Sequence, residues 1–289
     1  MLPASESAMN PRDIDHPLVE YADSWIVRYW TSKWNVKLER GLWVNILGWM
    51  IKHDVFPIDQ DLEYKLKAYG STIDEISLNS IKERELVTRH DVKARIEEFN
   101  AVATQWFRAV LPERRKRARL ELIHAGMTSA DVVDNVSLIK IRQSLLMLQR
   151  LGAGEMVTRL LVALPFRGIK GPVGTQQDMI DLLGSKDKAD QLDNYLGGHY
   201  GFEKILGSVG QVYPRSIDLQ VGSTLLGELA ALDSNQPWYT ILNGYVHMAV
   251  AYSGDQWNEG DVSTSVVRRV ALPGMFMAAS AALRGAKLE

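Results

Sequence analysis

Residues 121–135 read ELIHAGMTSADVVDN and run directly into VSLIKIRQSLLMLQ at 136–149. From Asp131 onward, Val132, Val133, Val136, Ile139, Leu145 and Leu146 recur at helical spacing, which predicts a helix over 131–149. Gly152 and Gly154 then mark a turn, and 155–164 returns as a short helix, closing a helical hairpin. The pattern repeats downstream. Residues 216–232 read as helix, Asp233-Ser-Asn-Gln-Pro237 is turn chemistry, and 239–252 reads as helix again. Long apolar helices joined by short turns lie antiparallel, so the fold class is all-α, an antiparallel helical bundle.

The start of the first of these helices carries polar chemistry. Gly126 lets the backbone come close to a ligand, and Thr128 or Ser129 can cap the helix that begins near Asp131. The N–H groups freed there favour a carboxylate or a phosphate, with the imidazole of His124 beside them. An ordinary N-cap accounts for the same residues. Upstream, TRHDVKARIEEF at 88–99 puts Arg89 and Lys93 at i,i+4 with His90 next to them, an arrangement able to hold a phosphate or a dicarboxylate. The alternative for His90 is a pairing with Asp91 or a helix cap.

Composition narrows the classes of function. A chain of 289 residues, 46% apolar and 24% charged, has ample length for a large core. Its formal net charge of -2 gives no global attraction to nucleic acid or to an anionic membrane. The absence of cysteine removes disulfides, thiol nucleophiles and Cys-based metal sites together. No metal site, cofactor, membrane-spanning run or signal peptide is read from the residues, and a cytoplasmic location is the expectation.

Residues 1–20 read as a flexible N-terminal arm, 21–130 as an N-terminal helical domain and 131–289 as the bundle domain. Within the second, 21–53 is a dense helix signal holding Trp25, Trp30, Trp34, Trp43 and Trp49, an aromatic stripe expected in a core or a subunit interface. A further helix covers 58–69, followed by a connector at 72–80. The basic run PERRKRAR at 112–119 reads as a solvated helix face balanced by Glu113 and Glu121, since no aromatics interleave it. GIKGPVG follows no strand and lacks a Lys-Ser/Thr end, so it is not a P-loop.

Three further strings complete the pattern: FRGIKGPVGTQQDMIDLLG at 166–184, GQVYPRSID at 210–218 and DQWNEGDVSTSVVRRVALP at 255–273. With the two upstream segments, and in this order, they resemble the adenylosuccinate lyase family, fumarate-releasing purine enzymes of the aspartase/fumarase superfamily. The resemblance runs from about Leu38 to Met277. It implies a helical bundle of that superfamily's type, a homo-oligomer, tetrameric in the family, with sites assembled from three subunits, and β-elimination of adenylosuccinate to AMP and fumarate without a cofactor. By the same resemblance Thr128 and Ser129 hold the succinyl carboxylates, and His90 with Arg89 sits near the nucleotide phosphate. Gln211 contacts the nucleotide, Ser265 and Arg269 bind its phosphate, His124 lines the pocket, and Tyr21 keeps half of an Arg-Tyr phosphate contact.

The departures concern chemistry. The family's Thr-His segment, whose His protonates the leaving amine, has no counterpart in RLGAGEMVTRLLVALP between Gln149 and Phe166. Its mobile Ser-Ser-Ala-Met-Pro-type loop, whose Ser takes the Cβ proton, has no counterpart in DSNQPWYT between Leu232 and Ile241. Both hairpins read as shortened at their tips, and the chain stops where the family's C-terminal helical domain would follow. Glu20 stands where the family commonly has Arg, and Gly260 where many members have Arg. His124, His199, His247 and Ser234 are the candidates to replace the missing acid and base, although His247 on a bundle helix is also readable as a satisfied core histidine. Three readings follow: a lyase of this type acting on a nucleotide or dicarboxylate substrate, a non-catalytic oligomeric helical scaffold, and a fumarate-releasing lyase for a different amine.

Overall fold

The computed structural model describes residues 17–57, 59–111, 113, 120–171, 176–206, 213–214, 216–233, 236–253, 255–256 and 263–285. Residues 1–16 of the expected arm and all of 112–119 except Glu113 fall outside that set. The described chain is helical, with four short strands, and forms two compact units, each discontinuous in sequence: residues 1–32, 140–164 and 212–289 in the first, 33–139 and 165–211 in the second.

In the first unit, α1 (Ser24–Tyr29) packs on α12 (Ser263–Leu283), and α10 (Ser216–Asp233) packs on α7 (Glu155–Ala163), α11 (Pro237–Tyr252) and α12. The long helix α6 (Ser129–Arg150) begins in the second unit and ends in this one. Both expected hairpins are present. Gly152 closes α6 with φ +97, and Ala153 donates back to the Leu148 carbonyl at 2.9 Å, the six-to-one bond of a glycine-terminated helix. The next helix is capped from outside itself. Glu228 of α10 accepts from the N–H of Gly154 at 2.8 Å and of Val157 at 3.1 Å, and a Cβ on residue 154 would lie 3.0 Å from its carboxylate oxygen. The glycine N-cap has no side-chain acceptor of its own, and the carboxylate of a neighbouring helix supplies one.

Close backbone approach continues across α10, α11 and α12. A Cβ on Gly274 would meet the Tyr245 ring at 2.4 Å, and one on Gly222 would meet Val246 at 2.7 Å. Arg268 and Asp218 form a buried ion pair between α12 and α10, with Nη2 to Oδ1 at 3.1 Å. Within α12, Ser265–Leu283 is long and apolar enough to cross a membrane by length and composition, which corrects the expectation of no such run. Its apolar residues from Ala271 to Ala282 are buried inside the unit, as suits the central helix of a bundle.

In the second unit, α3 (Leu62–Ser71) and α4 (Leu78–Thr88) pack on α5 (Asp91–Val110). The single helix expected over 21–53 is two. The Trp30 and Thr31 peptides close α1, with Thr31 Oγ1 donating to the Arg28 carbonyl at 3.0 Å, and α2 (Ser32–Lys52) starts afresh. Adjacent charges on α2 reach α5 in alternation. Glu39 pairs with Arg95 at 2.6 Å, and Arg40 pairs with Glu98, both members of the second pair being buried. Trp43 and Trp49 are buried, whereas Trp25, Trp30 and Trp34 stay partly exposed. Beyond α6 the chain makes β1 (Pro165–Arg167), α8 (Gln177–Leu183), α9 (Lys186–His199) and β2 (Lys204–Leu206). β1 and β2 pair in parallel over three residues each, with α9 packed against both. In the first unit β3 (Tyr213–Pro214) and β4 (Asp255–Gln256) form a minimal antiparallel pair.

Candidate functional site

The turn before α6 is held by two left-handed residues, His124 at φ +70 and Gly126 at φ +69. Glycine at 126 answers both the positive φ and the crowding, since a Cβ there would sit 3.0 Å from Leu182 and 3.2 Å from Met179. His124 holds a conformation disfavoured for a residue with a Cβ because its ring is fixed edge-on to Trp43, whose indole N–H donates to Nδ1 at 3.1 Å. An indole nitrogen can only donate, so Nδ1 is the acceptor and the imidazole proton sits on Nε2. Burial, with His90 nearby, lowers the His124 pKa to about 4. At neutral pH the ring is uncharged and offers a hydrogen-bond donor, not an acid able to protonate a leaving amine.

The helix start itself departs from expectation. The carboxylate of Asp131 reaches back to the Thr128 N–H at 2.9 Å, the reverse half of a capping box. The same carboxylate accepts from the N–H of Lys170 at 2.8 Å and of Gly171 at 2.9 Å. Part of the cradle expected for a ligand's anion is thus filled by the chain's own carboxylate. Burial pushes the Asp131 carboxyl up, while the three N–H groups and Arg167 draw it down. Thr128 is buried and Ser129 half-buried in the first turn of α6. Behind them Arg167 pairs with Asp134, and Asn135 exchanges hydrogen bonds with the Arg167 backbone in both directions at 3.0 Å.

The 88–93 cluster does not share one helical turn. Arg89 adopts φ +54 and terminates α4, so the i,i+4 relation with Lys93 is broken. His90 is the N-cap of α5: its Nδ1 accepts from the Lys93 N–H at 3.3 Å and lies 3.7 Å from Asp91 Oδ1. The capping alternative is therefore the one realised. His90, His124, Thr128 and Ser129 all belong to the second unit, as does His199, which ends α9 exposed with Nε2 3.1 Å from the Asn45 amide nitrogen.

The first unit holds the remaining described candidates. Tyr21 packs on Trp238 with centroids 5.2 Å apart, and Ser265 and Arg269 stand one turn apart on α12. His247 is exposed on α11, which overturns its reading as a core histidine: Val246 and Ala249 take the buried face of that helix. Gln211 and Ser234 lie outside the described residues.

Sequence reading missed Asp193. It sits on α9 within the stripe Ala189, Leu192, Leu196, a carboxylate at an apolar position, and that misfit was the available signal. It is 4% exposed and accepts from Ile169 N–H at 2.9 Å and Gln176 Nε2 at 2.8 Å. A separate groove of about 630 Å³ runs along α5, lined in part by Arg84, Glu97, Thr104 and Arg108; it touches the edges of two motif segments at Glu97 and Glu121 but is lined by none of the candidate site residues.

No family model matches the chain. It is 24% identical to an adenylosuccinate lyase of Schistosoma mansoni, using 93% of this chain and 71% of that protein. It is likewise 24% identical to an adenylosuccinate lyase of Saccharomyces cerevisiae, using 76% and 61%. The first alignment runs over 359 positions, more than this whole chain contains, so many positions of the relative face gaps here. That is the expected mark of internal shortening. Among solved structures, the 3-carboxy-cis,cis-muconate lactonizing enzyme of Pseudomonas putida aligns over 93% of this chain and 74% of its own with a TM-score of 0.68 at 12% identity. A fumarate lyase from Mesorhizobium aligns over 92% and 74% with a TM-score of 0.61 at 13% identity.

Proposed function

We propose, for a chain that resembles adenylosuccinate lyases in shortened form and has the helical fold of the aspartase/fumarase superfamily, that it keeps the family's anion-binding frame and lacks its proton transfers. The observation that carries this reading is Asp131, which accepts from the Thr128 N–H of its own HAGMTSAD turn and from the Lys170 and Gly171 N–H groups of the RGIKG corner; it occupies those three donors itself and holds two of the resembling segments in register, so the frame's ligand contacts would be side chains around it. Against that frame stand the tight connections: α6 reaches α7 through residues 151–154, and α10 is separated from α11 by 234–236, with no His in either. The ligand would be a dicarboxylate or a nucleotide such as fumarate or AMP, bound in the cytoplasm without a cofactor. Its proposed contacts are Thr128, Ser129 and Gln211; Ser265 and Arg269, which belong to the other unit, are proposed separately as phosphate contacts.

Two missing proton-transfer groups, each contributing about 10²–10⁴-fold, remove several orders of magnitude in rate. Purified chain mixed with adenylosuccinate is therefore expected to turn over far below the usual enzyme range of about 1–10³ s⁻¹, followed by absorbance, while calorimetry detects weak binding of AMP or fumarate. Turnover within that range defeats the proposal, and substitution of His90, His124, His199, His247 and Ser234 one at a time would then show which residue acts.

The proposal includes self-association. Leu232, Val250, Val266 and Val270 leave apolar surface exposed on α10, α11 and α12, the helices that build the bundle. Light scattering at micromolar concentration is expected to give a mass above the 32.5 kDa of one chain, and a monomeric mass would contradict it.

A further inference from the structure

We propose that Asp193 is a proton-sensitive positioning residue: its ionised carboxylate latches Ile169 and Gln176, and its neutral form loosens them. The inference concerns the free chain and does not depend on turnover. Three features of the geometry support it. First, the two carboxylate oxygens serve different donors, Oδ1 the Ile169 N–H and Oδ2 the Gln176 side-chain amide, so full occupancy needs two acceptors. Second, Gln176 is buried at φ +67, a conformation disfavoured for any residue with a Cβ. It is held there by Asp193 and by its own N–H to the Lys170 carbonyl at 2.8 Å. Third, a Cβ on Gly168 would stand 2.4 Å from Asp193 Oδ2, so glycine at that position admits the carboxylate against the end of β1.

The surrounding charges bias Asp193 toward taking up a proton. Burial is the largest influence, and Asp131 from α6 and Asp190 from α9 add to it. The Ile169 N–H and Lys186 act the other way, with the result that its pKa rises to about 7. Arg167 on β1 is committed to Asp134, and Lys170, whose own pKa is lowered by burial and by Arg167, faces Asp131 and Asp134. On α8, Asp178 lies against Gly171. A neutral acid loses one acceptor and the charge assistance of both bonds, so its hold on the two residues weakens. The sign for global stability is opposite. A carboxyl raised from about 4 to about 7 binds more protons folded than unfolded in that window, so its contribution falls as pH rises through it and is level above.

The test follows the Asp side-chain carboxyls of the full chain by ¹³C resonance from pH 5.5 to 8.5, alongside amide exchange at Ile169 and Gln176 corrected for intrinsic rate. Asp193 is expected to titrate near 7, with protection at both amides falling by up to about tenfold per pH unit as the pH drops from 8.5 toward that midpoint and levelling off below it. In Asp193→Asn, protection should be low and independent of pH, while thermal stability at pH 8 is not reduced, because no charge is buried. Should that variant fail to fold, Gln176→Met serves instead: removing the donor is expected to raise the Asp193 midpoint and leave the Ile169 bond in place. A midpoint in the ordinary carboxylate range near 4, or protection that stays constant while Asp193 titrates, overturns the proposal.

Discussion

Glu98→Ala is expected to lower stability by about 3–5 kcal/mol, enough to unfold much of the second unit at moderate urea. Arg40 is fully buried, and its Nη1 donates to the carbonyls of Thr72 at 2.7 Å, Ile73 at 3.3 Å and Glu75 at 3.2 Å, with the guanidinium 4.4 Å over the Phe99 ring. None of those partners neutralises it. Burial lowers the Arg40 pKa, and Glu98 supplies the main opposing pull. Truncating Glu98 therefore strands a buried cation and also removes the acceptor for the Ser77 N–H at 3.1 Å, just ahead of α4. The paired change Arg40→Met with Glu98→Leu should recover most of the loss, because a buried ion pair replaced by apolar groups of similar volume is close to neutral. Urea midpoints of the two variants decide it. A Glu98→Ala cost under about 1 kcal/mol would mean that water reaches the guanidinium.

Asp131→Ala is expected to remove both stability and ligand binding. Three buried N–H groups lose one common acceptor, at about 1–3 kcal/mol for each left unsatisfied, so a loss of about 3 kcal/mol or more is anticipated. Asp131→Asn retains one acceptor oxygen and should fall between the two. Calorimetry with fumarate, run where each variant is still folded, separates a collapsed frame from a merely destabilised one. Wild-type-like affinity in Asp131→Ala would show that the 124–128 turn holds its shape without this tie.

Periodicity and punctuation made much of the bundle legible. Helices read over 131–149, 155–164, 216–232 and 239–252 form over 129–150, 155–163, 216–233 and 237–252, with Gly152 and Pro237 setting the breaks. Pro237 lies in the first turn of α11, where a missing N–H is harmless. What could not be read depends on contacts distant in sequence. Three-residue strands 165–167 and 204–206 have too few positions to show a period, and the split at Trp30–Thr31 interrupts a continuous apolar pattern. At the site, His90 and Thr128 were found by residue type, but their roles were set by partners that type does not reveal. Arg89 turned left-handed and His90 became a cap, while Asp131, read only as a helix residue, became the acceptor on which the turn depends. The informative misfits were charged residues inside apolar stripes, Arg40, Glu98 and Asp193, each of which proved to be buried against a named partner.

Glu228 bears on how the chain can be lengthened. Because one carboxylate on α10 reads two N–H groups in the opening turn of α7, the two hairpins are keyed to each other at that point. A slip of α10 by a single turn, about 5.4 Å, would strand the carboxylate and both donors. Residues grafted into 151–154 to restore a longer tip would push Gly154 off that key, so an insertion there calls for a simultaneous change at 228. Extra sequence placed between α10 and α11 leaves Glu228 and the opening turn of α7 where they are, so the two hairpins should differ in the insertions they accept.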